Sequence, residues 1–271
     1  MRDVGLHIRL TTTINDLGKY AASLNIPLFQ CFLIHQSTNQ FIHPDDNEIE
    51  EFLHDWRPRF KNLYVHGSYW INLARFSGEN KVLARELELA KRLAFTHMIL
   101  HPGSARNVKD KKEGIGNIAK SLNHVLKKEQ EIKIILENTA HAGLSIGGDL
   151  HDFYYLRERL EHPEKVAFCI DTSHAHSYGY DIMTPEGQLQ FLELVDKTMG
   201  LSNIAVIHLN DTKQTMGSRI DRHEKIGDGI LASILHSFLA HESLKNLPVI
   251  LELPVSFPEE EEKMLQAVRN W

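Results

Sequence analysis

The sequence predicts an α/β fold, a single (β/α)8 TIM barrel over residues 1–271. Three observations predict it. Eight short apolar runs with strand character recur along the chain. Each is followed by a longer segment with helical periodicity. No Pro/Gly/Ser-rich linker and no shift of composition divides the 271 residues into two domains. Strict alternation calls for parallel strands joined by crossover helices. Eight such units in a chain of this length match a closed barrel, which needs about 250 residues. An open doubly wound sheet is the competing arrangement of the same elements.

The elements follow in order. VGLHIRL (4–10) is the first strand, and NDLGKYAASLN opens behind Thr residues suited to capping. IPLFQCFLI (26–34) precedes NEIEEFLHDW, which follows Pro44-Asp45-Asp46. NLYVHGS (62–68) leads to LARELELAKRLA, where Leu83, Leu87 and Ala90 share one face and charges take the other. HMILHPG (97–103) precedes IGNIAKSLNHVLKK, and KIILENT (133–139) precedes LHDFYYLRERL. VAFCIDT (166–172) precedes PEGQLQFLELVDKTM, and IAVIHLND (204–211) precedes ILASILHSFLAH. PVILELP (248–254) precedes PEEEEKMLQAVRNW. The run 259–262 reads as the solvated first turn of that last helix, where acidic residues favour the dipole.

Composition narrows the function classes. Lys plus Arg is 30 and Asp plus Glu is 36, a formal charge of −6. That excludes a strongly basic protein coating nucleic acid non-specifically. Charged residues at 24% and hydrophobic ones at 42% are globular composition. Two cysteines exclude a disulfide scaffold, and Cys31 and Cys169, both in apolar runs, read as buried thiols. The N-terminus has no signal-peptide h-region, and no apolar stretch reaches membrane-spanning length. A cytoplasmic, soluble protein without a membrane partner is the expectation. The unusual quantity is 17 histidines.

In a (β/α)8 barrel, functional groups sit at the C-terminal strand ends. Reading those ends in order gives His66, His101, Glu137, Asp171 with His174, His208 and Glu252. Asp221 and His223 lie on the loop after the seventh strand. All are His, Asp or Glu, the ligand set of zinc and similar divalent metals. A lone His in such a place is usually a hydrogen-bonded structural residue, and a lone Asp before Thr is often a cap. Six of eight strands end this way, however, with strands one and two the exceptions. A ring containing Glu137, Asp171 and Glu252 would repel itself unless cations neutralised it. Nine candidates exceed the usual three protein ligands of one catalytic zinc, so more than one metal is expected.

These residues in this order resemble the endonuclease IV family of abasic-site DNA repair enzymes, within the xylose-isomerase-like barrel superfamily. VHGSYWINLA, ILHPGS, ILENTA, CIDTSHAHSYGYD, HLNDTK, GSRIDRHEKIGDG and ILELP carry the resemblance across essentially the whole chain. The resemblance implies three zinc ions per chain, with manganese or iron an alternative at one position. His66, His101 and bridging Glu137 would hold the first. Glu137, Asp171, His208 and Glu252 would hold the second, and His174, Asp221 and His223 the third. It implies hydrolysis of the phosphodiester 5′ to an abasic site, leaving a 3′-hydroxyl and a 5′-deoxyribose phosphate, together with 3′-phosphodiesterase activity. Glu137 is the catalytic residue implied, as bridging ligand or as proton acceptor.

The partner implied is double-stranded DNA with abasic sites, engaged by a monomer that flips the damaged nucleotide out. Tyr69 and Trp70, just after His66, match one insertion loop, although Trp70 stands where the family commonly has an aliphatic residue. After strand two the family's Arg and following aromatic are missing from HQSTNQFIHPDD. Asn39, Gln40 and Phe41 are the candidate substitutes. Arg222, with Lys213, Arg219, Lys109, Lys111 and Lys112, could supply local positive charge for phosphates. Of the remaining histidines, His7 and His35 are the expected site neighbours. Two other readings compete: a single-metal sugar isomerase or epimerase of the same superfamily, and a DNA-binding protein with little turnover.

Overall fold

The computed structural model describes the chain except Met1, Gln36, Ser37, Asn39, Ser77, Glu79, Glu129 and Gln130. Eight parallel strands close into a barrel: β1 (Val4–His7), β2 (Leu28–Cys31), β3 (Asn62–His66), β4 (His97–Leu100), β5 (Lys133–Glu137), β6 (Val166–Asp171), β7 (Ile204–His208) and β8 (Val249–Leu251). Each pairs with its sequence neighbours, and β1 pairs with β8 in register Val4↔Val249. That seam excludes the open sheet.

Two apolar layers follow from the period-2 alternation of the strands. Inward residues fill the barrel, among them Leu28, Tyr64, Ile99, Ile135, Cys169, Val206 and Ile250. Outward residues pack under the helices. Both cysteines are buried and unpaired. The sequence runs overshoot the strands mainly at their C-terminal ends. Apolar character continues past the last ladder bond, and it is in these overhangs that several polar site residues lie.

The helices are α1 (Ile14–Ser23), α2 (Asp46–Glu51), α3 (Lys81–Arg92), α4 (Lys111–Lys128), α5 (His151–Arg157), α6 (Thr172–Tyr178), α7 (Pro185–Thr198), α8 (Leu235–Leu239) and α9 (Pro258–Arg269). Thr13 caps α1 through Asp16 N, and Glu259, Glu260 and Glu261 lie in the first turn of α9. No helix of the described residues is long and apolar enough to cross a membrane.

Four expectations change. First, α2 does not run to Trp56 as α-helix. It widens into a π-turn over Phe52–Trp56 and tightens to a 3-10 turn at Arg57–Arg59, where Pro58 cannot donate a backbone hydrogen bond. Second, the helix expected over 230–241 is only Leu235–Leu239. The preceding chain is drawn onto Asp211, whose carboxylate accepts from Gly227, Gly229 and Leu231 N–H. Third, α6 is a helix additional to the eight expected, inserted between β6 and α7. Asp171 caps it by accepting from His174 N at 2.7 Å, and Gly179 ends it at φ 117°. Fourth, α3 does not segregate its charges. Glu86 lies on the buried face with Leu83, Leu87 and Ala90.

Candidate metal centre

The strand ends bring the nine predicted residues to one mouth. β3, β5, β6 and β7 terminate at His66, Glu137, Asp171 and His208, while His101 and Glu252 directly follow β4 and β8. His174 sits in the first turn of α6. Asp221 and His223 lie on the loop after β7, which a bridge between Asp211 and Glu224 ties back to the barrel.

Glu137 is the hub. Fully buried, it places Oε2 3.3 Å from both His66 Nε2 and His101 Nε2. Its Oε1 lies 3.2 Å from His174 Nδ1 and 3.1 Å from His208 Nδ1. Glu252 Oε2 lies 3.4 Å from His208 Nδ1 and 3.8 Å from His223 Nδ1. Asp221 Oδ1 stands 3.1 Å from His174 Nε2 and 3.5 Å from His223 Nε2.

Potential ligand atoms within 4.8 Å of one another form three groups: His66–His101–Glu137, Glu137–Asp171–His208–Glu252, and Asp171–His174–His223. The first two coincide with the sets the resemblance implied. In the third, Asp171 joins the two histidines, and Asp221 flanks them at the distances just given.

Charge is tightly balanced at this mouth. Burial pushes the Glu137 carboxyl up, but the charges of His208 and His101 and the hydrogen bonds of His101 and His174 overcome it. They hold Glu137 well below the usual carboxylate range. Burial raises Asp171 despite His174 and His223. Burial opposes the charge on His174, yet Asp171 and Asp221 raise that imidazole well above its ordinary value. Without cations, the carboxylates therefore depend on protonated histidines.

The residues fit divalent metal ions. The donors are imidazoles and carboxylates, the set suited to zinc. The Nε2 atoms of His174 and His223 are buried and face Asp221 Oδ1; once the rings are neutral, as metal binding requires, each presents a lone pair there. The opposite ring nitrogens are already used: His174 Nδ1 donates to Asn138 O at 2.9 Å, and His223 Nδ1 to Glu252 O at 3.3 Å. This is how a protein aims an imidazole at a metal.

Several supporting residues escaped the sequence reading. Gln30, fully buried on β2, donates through Nε2 to Glu252 Oε1 at 2.6 Å and to His7 Nδ1 at 2.7 Å. Its Oε1 accepts from His208 Nε2 at 2.9 Å. Asn210 Nδ2 donates to Asp171 Oδ2 and Glu252 Oε2, and Asn138 Oδ1 accepts from Asp171 N. The available signals were modest: one polar residue inside an apolar strand, and Asn one or two places after a candidate ligand. Of the two expected neighbours, His7 reaches the site, 3.4 Å from Glu252 Oε1. His35 instead faces Gln40 in a small hairpin.

The expected DNA-facing residues are accessible. Tyr69 is 76% exposed and Trp70 49%, so Trp70 is not a core aromatic. Trp70 packs edge-on against Phe41 at 5.7 Å. Asn39 lies outside the described residues. Arg222 is exposed. Three of the six basic candidates are committed within the chain, Lys213 to Glu224, Lys111 to Asp152, and Arg219 over the Tyr178 ring. Beside the cluster opens a cavity of about 260 Å³, lined by His66, Tyr69, His101, Thr139, His141 and Asp221 among others.

A family model described as xylose isomerase-like TIM barrel matches residues 17–271. A protein of Thermosipho melanesiensis named "Probable endonuclease 4" is 33% identical, over 94% of this chain and 93% of its own. One from Clostridium botulinum with the same name is 32% identical over the same shares. The crystal structure of endonuclease IV from Thermus thermophilus superimposes with a TM-score of 0.82 at 27% identity, covering 100% of this chain and 98% of that one. A D-tagatose 3-epimerase-like protein shares the fold, with a TM-score of 0.71 at 17% identity. With its closed barrel, its cluster of imidazoles and carboxylates, and relatives matched end to end, the chain belongs to the endonuclease IV family of xylose isomerase-like TIM barrels.

Proposed function

We propose that this DNA-cleaving hydrolase incises double-stranded DNA at the phosphodiester 5′ to an abasic site, using three zinc ions. It leaves a 3′-hydroxyl and a 5′-deoxyribose phosphate, and clears 3′-blocking groups at the same centre. It works as a monomer inside the cell.

The observation that carries this reading is shared membership. Glu137 belongs to two of the three ligand groups, and Asp171 to two. Carboxylates offer two oxygens, so each can join neighbouring cations into one centre. A sugar isomerase or epimerase that works with one metal would leave two of the groups unused. Bound zinc supplies Lewis-acid chemistry, acidifying water and neutralising charge on phosphate oxygens.

The chain's own groups have separate tasks. Glu137, a member of two ligand groups with each oxygen facing two imidazoles, is placed as a ligand, which favours its bridging role. His66, His101 and Asp221 line both the cluster and the adjoining cavity. Groups bound in that cavity therefore lie next to the reacting centre. Tyr69 and Trp70, exposed beside His66, offer faces on which bases stack. Arg222 supplies a cation for the phosphate backbone.

The test is nicking of duplex DNA that carries a reduced abasic analogue. Such an analogue cannot undergo β-elimination, so any cleavage is hydrolytic. Zinc-dependent nicking is the expected result. Intact DNA after zinc reconstitution would overturn the assignment. Binding of the duplex without cleavage by fully loaded protein would favour the non-catalytic reading, and a metal content near one per chain the isomerase reading.

A further inference from the structure

One buried acid outside the cluster lacks the compensation that the others have. Asp152 pairs with Lys111 at 2.8 Å, and Asp211 collects backbone N–H groups. Glu86, on α3, is 1% exposed and has no cationic partner among the described residues. Its Oε1 makes no hydrogen bond. Burial pushes its carboxyl above the usual range. A buried polar group left in this state costs stability, and a leucine would fill the same helix face.

The other oxygen of Glu86 explains its presence. Oε2 accepts from Ser68 N at 3.1 Å. The carbonyl of the same peptide unit, Gly67 O, accepts from His66 Nδ1 at 2.9 Å. One peptide plane is thus held at both ends, by a carboxyl on its N–H and an imidazole on its C=O. His66 is left with Nε2 directed at Glu137 Oε2, 3.3 Å away. Gly67 permits this close passage, because a Cβ there would lie 2.3 Å from Leu100 Cδ2. The Gly67 N–H is anchored in turn on Ile99 O at 2.8 Å.

Granted the metal centre proposed above, we propose that Glu86 is a positioning residue for it. Acting through the Gly67–Ser68 peptide, Glu86 fixes the His66 imidazole with Nδ1 protonated and Nε2 presented to the cluster. Accepting the Ser68 N–H polarises the peptide and strengthens its carbonyl as an acceptor. A stronger acceptor on Nδ1–H orients the ring and makes Nε2 a better ligand, as a directly bonded carboxylate does in other metal sites. The same anchor sets the start of the Tyr69–Trp70 segment.

The test compares Glu86→Ala and Glu86→Gln with wild type in zinc competition against a chromophoric chelator, with circular dichroism to check the fold. Glutamine keeps an acceptor where Ser68 N–H needs one. Glu86→Ala is expected to weaken one zinc per chain by roughly 10–100-fold and to leave the others in place. Glu86→Gln is expected to stay within about threefold of wild type, since the hydrogen bond survives. Wild-type affinity in Glu86→Ala overturns the proposal, as does equal weakening of every zinc, or a Gln variant as weak as Ala.

A second measurement needs no metal. Nitrogen-15 imidazole spectra of the metal-free protein, above the titration of the ring, should show His66 as the Nδ1–H tautomer in wild type and a mixture in Glu86→Ala. Identical spectra overturn the clamp. A wild-type chain that takes up no zinc defeats the metal-centre reading instead, and the imidazole spectra then decide the clamp alone.

Discussion

Gln30→Leu removes a side chain that touches no expected substrate, yet it should disable the centre. The substitution nearly conserves volume and deletes three hydrogen bonds, a buried one to His208 and part-buried ones to Glu252 and His7. Each stranded partner costs about 1 kcal/mol or more, so the metal-free protein should lose on the order of 3 kcal/mol of stability. The functional effect runs through His208. Gln30 Oε1 accepts from His208 Nε2, which turns Nδ1 toward Glu137 and Glu252. Supporting contacts of this kind are worth roughly 10–100-fold in metal affinity or activity. Urea unfolding of the metal-free protein, zinc competition and kcat/KM on the reduced abasic analogue would measure the three consequences. A Gln30→Leu protein within about threefold of wild type in both zinc affinity and kcat/KM would refute the role given to Gln30.

Glu137→Gln should lower nicking by about 10³-fold or more, because one change withdraws a charged member from two ligand groups; near-wild-type single-turnover rates would refute the bridging role. Exhaustive chelation should abolish nicking and lower the thermal midpoint, both restored by zinc, which a calorimetric titration can follow. Trp70→Ala should weaken binding of abasic duplex by about 1–3 kcal/mol, the value of one base–aromatic stack, as read by fluorescence anisotropy. His97 gives a pH test remote from the metals. Burial and, secondarily, Lys133 lower it to about 4 from its ordinary value of 6.5. Its folded value is depressed, so the neutral form is favoured in the native state. Its stabilisation is complete above pH 6.5 and is lost as pH falls toward 4. His97→Phe should therefore remove about 2 kcal/mol of the stability decline between about pH 7 and pH 5 in urea titrations.

The barrel and its mouth were legible because they rest on period and position. Parallel strands buried on both faces write continuous apolar runs, and a polar residue ending such a run is conspicuous, as at Glu137 and His208. Residues that act through geometry were not legible. Gln30 looks like any polar residue in a strand, and only the fold brings it beside Glu252, 222 residues away. Glu86 sits on a helix whose other charges face solvent, so its burial could not be read from a periodic pattern. Asp171 could have announced α6, since Asp at the cap and Gly179 at the end are recognised signals. Its part as a candidate ligand masked its part as a cap. The exposure of Trp70 is a tertiary outcome that local apolar character does not decide.

The cluster takes a residue from every stave of the barrel. His7 and Gln30 come from β1 and β2, and the candidate ligands come from the ends of the other six strands, from α6 and from the loop after β7. No fragment of the cylinder holds this whole set, and Glu252 enters only with β8, which pairs with both β7 and β1. A full complement of metal ions would therefore be taken up late, after the strands and loops that carry all three ligand groups have come together. The ions would act as inspectors of the finished fold. A chain with a strand out of place would lack at least one ligand group, and with it the complete centre proposed for cutting DNA.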